Sequence, residues 1–232
     1  MHTGRQKFGV ACAAAAFLMP LAFGQSAAAI PIAVAPVVVQ MDTVTEFSAV
    51  QVSNRGDRPT SVETAMVKVK WVDGREVYEP TSDFTVSPPV FRLQGGKSRM
   101  IRFKYAGQRQ DSEGFYRLFI HQLPEKTEGS QVSIIFNLGV PIFIAPLSSR
   151  PALMLDASGG QDKPAELHNT GNVTLTVIAL EGQDCPSSPH KVMLRLSPAQ
   201  TLVLKDAVPS CVTRARTDQG VIRLAARPTN SN

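Results

Sequence analysis

The sequence predicts an all-β protein made of two immunoglobulin-like β-sandwich domains, and three observations carry that expectation. Apolar residues recur at every second position through short stretches, the spacing of half-buried strands. Turn formers punctuate those stretches, with 16 Gly and 17 Pro in 232 residues. No stretch holds the 3.6-residue period of a long amphipathic helix. The clearest strand is 131–146 (QVSIIFNLGVPIFIAP), where Val132, Ile134, Phe136, Leu138 and Val140 share one face. No Lys, Arg, Asp or Glu occurs between Gly129 and Ser149. Edge strands are normally guarded by charge, Pro or a bulge, and the first ten residues of this one carry none. It reads either as a central strand or as one held ready to pair with another chain.

The chain opens like a secretory signal, with basic His2, Arg5 and Lys7, an apolar run over 8–23, and Ala27, Ala28 and Ala29 as small cleavage-site residues. That run is shorter than the ~20 residues a membrane span needs. A soluble, exported mature protein beginning after Ala29 is therefore expected, without membrane insertion. Residues 30–147 read as a first domain and 148–232 as a smaller second one.

In the first domain, 33–41 reads as a strand whose Pro36 is tolerable at an edge or at a switch between sheets. Residues 46–53 form the next, closed by the turn Asn54-Arg55-Gly56-Asp57. Over 61–72, Val67, Val69 and Trp71 alternate with Met66, Lys68 and Lys70, which predicts one wet face on the Lys side. Asp73-Gly74 is a hairpin signal into Val77 and Tyr78. Residues 84–93 are interrupted by Pro88-Pro89, which cannot sit in a central ladder. Gln94-Gly95-Gly96-Lys97 reads as a hairpin turn into 98–105, and 115–123 precedes the apolar strand. About seven strands over some 115 residues is the count of an immunoglobulin-like sandwich. After the linker 147–150, shorter strands are predicted at 152–155, 165–168, 174–180, 191–196, 201–204 and 221–225.

Removing the signal's Arg5 and Lys7 lowers the formal charge from +5 to +3, with no basic run that would address nucleic acid. Cys12 leaves with the signal. Cys185 and Cys211 remain, and two cysteines in an exported chain point to one disulfide rather than a metal site. Such a bridge stabilises by roughly 2–4 kcal/mol.

Four segments resemble the PapD-like periplasmic chaperones of pilus assembly by the chaperone–usher route. They are Ser53-Asn54; residues 87–93 (SPPVFRL) with the Gly-containing turn and Lys97-Ser98; residues 111–124 (DSEGFYRLFIHQLP); and the alternating strand ending at Ala145-Pro146. Residues 167–172 (LHNTGN) resemble the opening of the family's second domain. The resemblance covers nearly the whole mature chain. It implies an L-shaped pair of immunoglobulin-like domains that bind pilin (fimbrial) subunits in the periplasm and deliver them to an outer-membrane usher, without ATP or other cofactor. Binding would be β-strand addition, with Val132, Ile134, Phe136 and Leu138 as the matching donor residues. Self-association through the same strand is left open.

The family's basic anchor for the subunit carboxylate is missing here. No Lys or Arg lies between Ile30 and Asn54, and Pro141 stands at the position of the late Lys. This resembles the divergent alternative or α-type branch. Arg117 and His121, four residues apart on one strand face, are the candidate substitutes. Glu113 matches an acidic interdomain residue of the family, and Arg150 is its candidate partner.

An enzyme is not expected: the mature chain has three His and no nucleophile elbow, metal-protease helix or phosphate loop. A metal site needs clustered His, Met or carboxylates, and Met100, Met154 and Met193 are scattered, so none is expected. The competing reading is an exported immunoglobulin-like module binding peptide, sugar or metal outside pilus assembly.

Overall fold

The computed structural model describes residues 32–72, 75–124, 135–157, 164–183, 185, 189–204 and 211–226. The proposed signal, the Asp73-Gly74 turn, Val132 and Ile134 lie outside these residues. The described chain is all-β, with two separate hydrophobic cores. Among the described residues no helix is long and apolar enough to cross a membrane.

The first core lies between two sheets. One has the order β1 (Ile32–Ala35), β3 (Phe47–Asn54), β8 (Ser98–Tyr105), β6 (Phe84–Ser87). The other runs β2 (Val39–Met41), β10 (Asn137–Ile144), β9 (Gly114–Gln122), β4 (Thr60–Val72), β5 (Arg75–Pro80), with β7 (Val90–Leu93) also on β4. Val50, Val52, Ile101 and Phe103 from the first sheet meet Val62, Leu118, Ile120, Val140 and Ile142 from the second.

The strand count exceeds the sequence expectation because prolines split two predicted strands. Pro36 separates β1 from β2, and Pro88-Pro89 separates β6 from β7; in each case the halves belong to different sheets. A proline cannot donate to a ladder, so the chain leaves one sheet there and joins the other. The Gln94–Lys97 turn likewise joins strands of different sheets, β7 and β8, so it is a corner and not a hairpin. A side chain at Gly95 would collide with the Asp57 carbonyl oxygen, and Gly96 has φ 66°. The corner therefore packs against the Asn54–Asp57 turn, with Gly96 N–H donating to Gly56 O at 3.0 Å.

The predicted faces of β4 hold near its end, where Val69 is buried and Lys70 exposed, but not where the strand crosses the core. Val62 and Met66 pack on the core, and Lys68 shares their face, its ammonium 5.9 Å from the Tyr116 ring. On the other face Val67 and Trp71 are half-buried and Val69 is 5% exposed. The thirteen-residue strand overruns its core, so alternation alone does not tell which face the opposite sheet covers.

The second core lies between β15 (Thr201–Val203), β12 (Glu166–Asn169), β11 (Leu153–Asp156), β18 (Ala225–Ala226) and the sheet β14 (His190–Leu196), β13 (Leu175–Glu181), β16 (Arg214–Thr217), β17 (Gly220–Arg223). Strand β16 was not predicted. Its inward residues are Ala215 and Thr217, too small and polar to register as an apolar stripe. Cys185 and Cys211 are disulfide-bonded, and Cys185 packs on this core.

Candidate functional site: a free strand edge and the junction below it

Strand β10 pairs with β9 along its whole length, Asn137 opposite His121 through Ile144 opposite Gly114. On its other side β2 runs parallel to it at Ile142–Ile144. From Asn137 to Pro141 that side has no ladder partner among the described residues. The alternation read from sequence holds here: Val140 and Ile142 enter the core, and Leu138 packs partly against it. Phe136 is two residues before Leu138 and half-buried, with its carbonyl still accepting from Gln122 N–H at 3.0 Å. Ile135, on the opposite face, is 46% exposed. The strand thus leaves its own core progressively toward residue 135 while keeping an unpaired backbone edge.

Arg117 and His121 sit on the outer face of β9, opposite Pro141 and Asn137, the two ends of the free segment. His121 Nδ1 is 3.0 Å from Asn137 Oδ1, and its ring stacks on Phe119. Arg117 is engaged differently. Its guanidinium donates to both carboxylate oxygens of Glu76 and to the Tyr78 hydroxyl, over the Tyr78 and Phe115 rings. The hydrogen bond to Glu76 raises the Tyr78 phenol's pKa. A Cβ at residue 139 would come 2.8 Å from Arg117 Cδ, so Gly139 makes room for this side chain beside the edge strand.

Glu113 joins the two sandwiches. Its carboxylate accepts from Thr174 N–H at 2.9 Å, and its own N–H donates to Asn172 O at 2.9 Å. Burial pushes the carboxyl pKa up, against the lowering effects of the Thr174 hydrogen bonds and the Arg195 charge. Arg150 does not supply that charge: its side chain is exposed, and its main chain exchanges hydrogen bonds with Asn172. Asn172 also donates to Asp111 O and Ser148 O. Arg195 lies 4.4 Å over the Phe143 ring, which stacks on Phe115. Asn172 stood within the LHNTGN segment and could have been read as a junction residue. Arg195 carried no such signal.

Residues 31–149 match the family model described as pili and flagellar-assembly chaperone, PapD N-terminal domain. The chain belongs to this family. As a PapD-like protein it is a pilus-assembly chaperone with two immunoglobulin-like domains. Its fold is similar to that of the class 5 fimbriae chaperone CfaA, with a TM-score of 0.66 and 14% identity over 85% of this chain and 99% of that one. It is also similar to a chain of the CsuC–CsuE chaperone–tip adhesion subunit pre-assembly complex, from archaic chaperone-usher Csu pili of Acinetobacter baumannii. There the TM-score is 0.61, with 18% identity over 84% and 99% of the two chains. The Salmonella enterica SafA pilin–SafB chaperone complex gives 0.54 and 16% over 84% and 95%. At these identities the likeness is one of fold. No curated protein matches the sequence.

Proposed function

We propose that this PapD-like chaperone caps fimbrial subunits in the periplasm by lending them the free edge of β10, and passes them to an outer-membrane usher. The observation that carries this reading is the one-sided pairing of β10 from Asn137 to Pro141, with an apolar row leading outward from Val140. A subunit strand on that edge would gain backbone hydrogen bonds, while Leu138, Phe136 and, continuing the period, Ile134 and Val132 would fill its groove. Each side chain fully buried in this way contributes roughly 1.5–3 kcal/mol. Pro141, with no N–H, would mark where the added strand ends. Arg117 would hold the subunit carboxylate by exchanging it for Glu76. Export through residues 1–29 and the domain limits 30–147 and 148–232 belong to the same proposal.

The test is co-purification of a fimbrial subunit from periplasm with the native chain and with Ile134→Asp plus Phe136→Asp. A one-to-one complex with the native chain alone is expected. Equal recovery with a folded double variant would return the strand to an ordinary scaffold role and favour the exported binding module.

A further inference from the structure

The outer face of β11 and β12, in the second sandwich, gathers three metal-ligating side chains. Asp156, Glu166 and His168 each place a ligand atom within 4.8 Å of the others. The ladder explains this: Asp156 lies directly opposite Glu166, and His168 is two residues along β12 on the same face. Asp156 is buried and Glu166 half-buried. The imidazole is oriented from both sides. His168 Nδ1 is 2.7 Å from Thr201 Oγ1, while Nε2 faces Glu166 Oε2 at 3.5 Å, sealed from solvent and without a hydrogen-bond partner among the described residues. With Nδ1–H donating to Thr201, the Nε2 lone pair is aimed at carboxylate oxygen, an arrangement a cation relieves. A hydrogen bond that fixes the far ring nitrogen is the usual companion of a metal-bound imidazole. Two ligands on one tetrahedral Zn²⁺, with bonds of about 2.1 Å, stand roughly 3.4 Å apart, close to the 3.5 Å between His168 Nε2 and Glu166 Oε2.

We propose that Asp156, Glu166 and His168 bind one divalent transition-metal ion on the second sandwich. Two carboxylates and an imidazole suit Zn²⁺ or Mn²⁺ better than Ca²⁺, which takes oxygen ligands. Water would complete the shell. Because the ligands come from two strands, the ion would tie β11 to β12 and add to the domain's folding stability.

The test titrates the full chain, stripped of metal with chelator, with zinc sulfate and with manganese chloride in a calorimeter. One ion per chain is expected, bound at least tenfold more weakly by His168→Ala and by Glu166→Gln, with a melting temperature that rises with metal in the native chain only. Should a substitution unfold the domain, imidazole-nitrogen NMR of the native chain decides: Zn²⁺ moves the His168 Nε2 resonance and leaves those of His121 and His190 in place. Three results would overturn the proposal: no binding at millimolar metal, equal binding by folded variants, or a His168 Nε2 that stays protonated against Glu166 with Zn²⁺ present.

Discussion

Arg117 and Glu76 form a two-pronged ion pair on the outer face of the first sandwich, Nη1 to Oε2 at 2.5 Å and Nη2 to Oε1 at 2.9 Å. The one arginine of β9 is therefore already paired with a carboxylate in the free chain. Planar bidentate geometry is something Lys cannot reproduce. Arg117→Lys is expected to cost about 1 kcal/mol in urea unfolding, since charge-assisted hydrogen bonds contribute roughly 1.5–3 kcal/mol and the charge itself is kept. If Arg117 takes the subunit carboxylate, Glu76→Gln strengthens subunit binding and Arg117→Ala weakens it. A Glu76→Gln chain that binds no better, measured by calorimetry, places the anchor elsewhere.

Leu138 serves two surfaces, its own core and the proposed subunit groove. Leu138→Ala is expected to lower stability by about 1–2 kcal/mol, less than the 2–5 kcal/mol of a fully buried leucine, and also to weaken the subunit complex. Ile135 points to the opposite face of the strand, so Ile135→Asp is expected to leave both unchanged. Urea unfolding and co-purification of the pair of variants separate the two faces.

Glu113 makes stability at the junction depend on pH. Its folded pKa is raised above 4.5, first by burial. The folded state therefore holds its proton more tightly than the unfolded state, and stability falls as pH rises from 4.5 through the folded pKa. Glu113→Gln keeps an oxygen to accept from Thr174 N–H and removes that titration. In melts followed from pH 4 to pH 7, the native chain should lose stability relative to the variant as pH rises. A constant difference would show that the folded and unfolded states hold this proton equally tightly.

The same asparagine device closes a strand in each sandwich. Asn54 Nδ2 donates to Arg58 O and Leu93 O while its Oδ1 accepts from Gly56 N–H. Asn169 Nδ2 donates to Val173 O and Leu196 O while its Oδ1 accepts from Gly171 N–H. Both are at most 3% exposed. Removing either side chain strands buried backbone groups, each costing ~1–3 kcal/mol. Asn54→Ala and Asn169→Ala are each expected to lose about 2–4 kcal/mol by chemical unfolding. A loss below about 0.5 kcal/mol, the scale of an ordinary surface substitution, would mean that water replaces the amide.

Much of this molecule was legible from its residues. The period-2 runs became strands because alternation is local, and the Asn-x-Gly turns at 54–56 and 169–171 lie where their turn chemistry placed them. The faces of β4, the strand β16 and the sheet switch at Pro88-Pro89 were harder. Each depends on which strand lies across the core or beside the ladder, and a run such as Arg214–Thr217 carries no apolar stripe of its own.

By itself, the sequence determined that the chain is a two-sandwich β protein with a charge-free apolar strand and one cysteine pair able to bridge its second half. Backbone propensity, turn residues and composition act over a few residues, so a linear reading reaches them. Only the tertiary structure decided that β2 pairs β10 at Ile142–Ile144 alone, leaving the rest of that edge without a partner among the described residues, and that Arg117 is held by Glu76. It also decided that Glu113 meets Thr174, and that Asp156, Glu166 and His168 converge. These pairings join residues far apart in the chain, Val39 with Ile142 across the β2–β10 ladder and Glu113 with Thr174 sixty-one positions on. They arise from strand order and register, which are settled by burying two cores at once rather than by any local pattern.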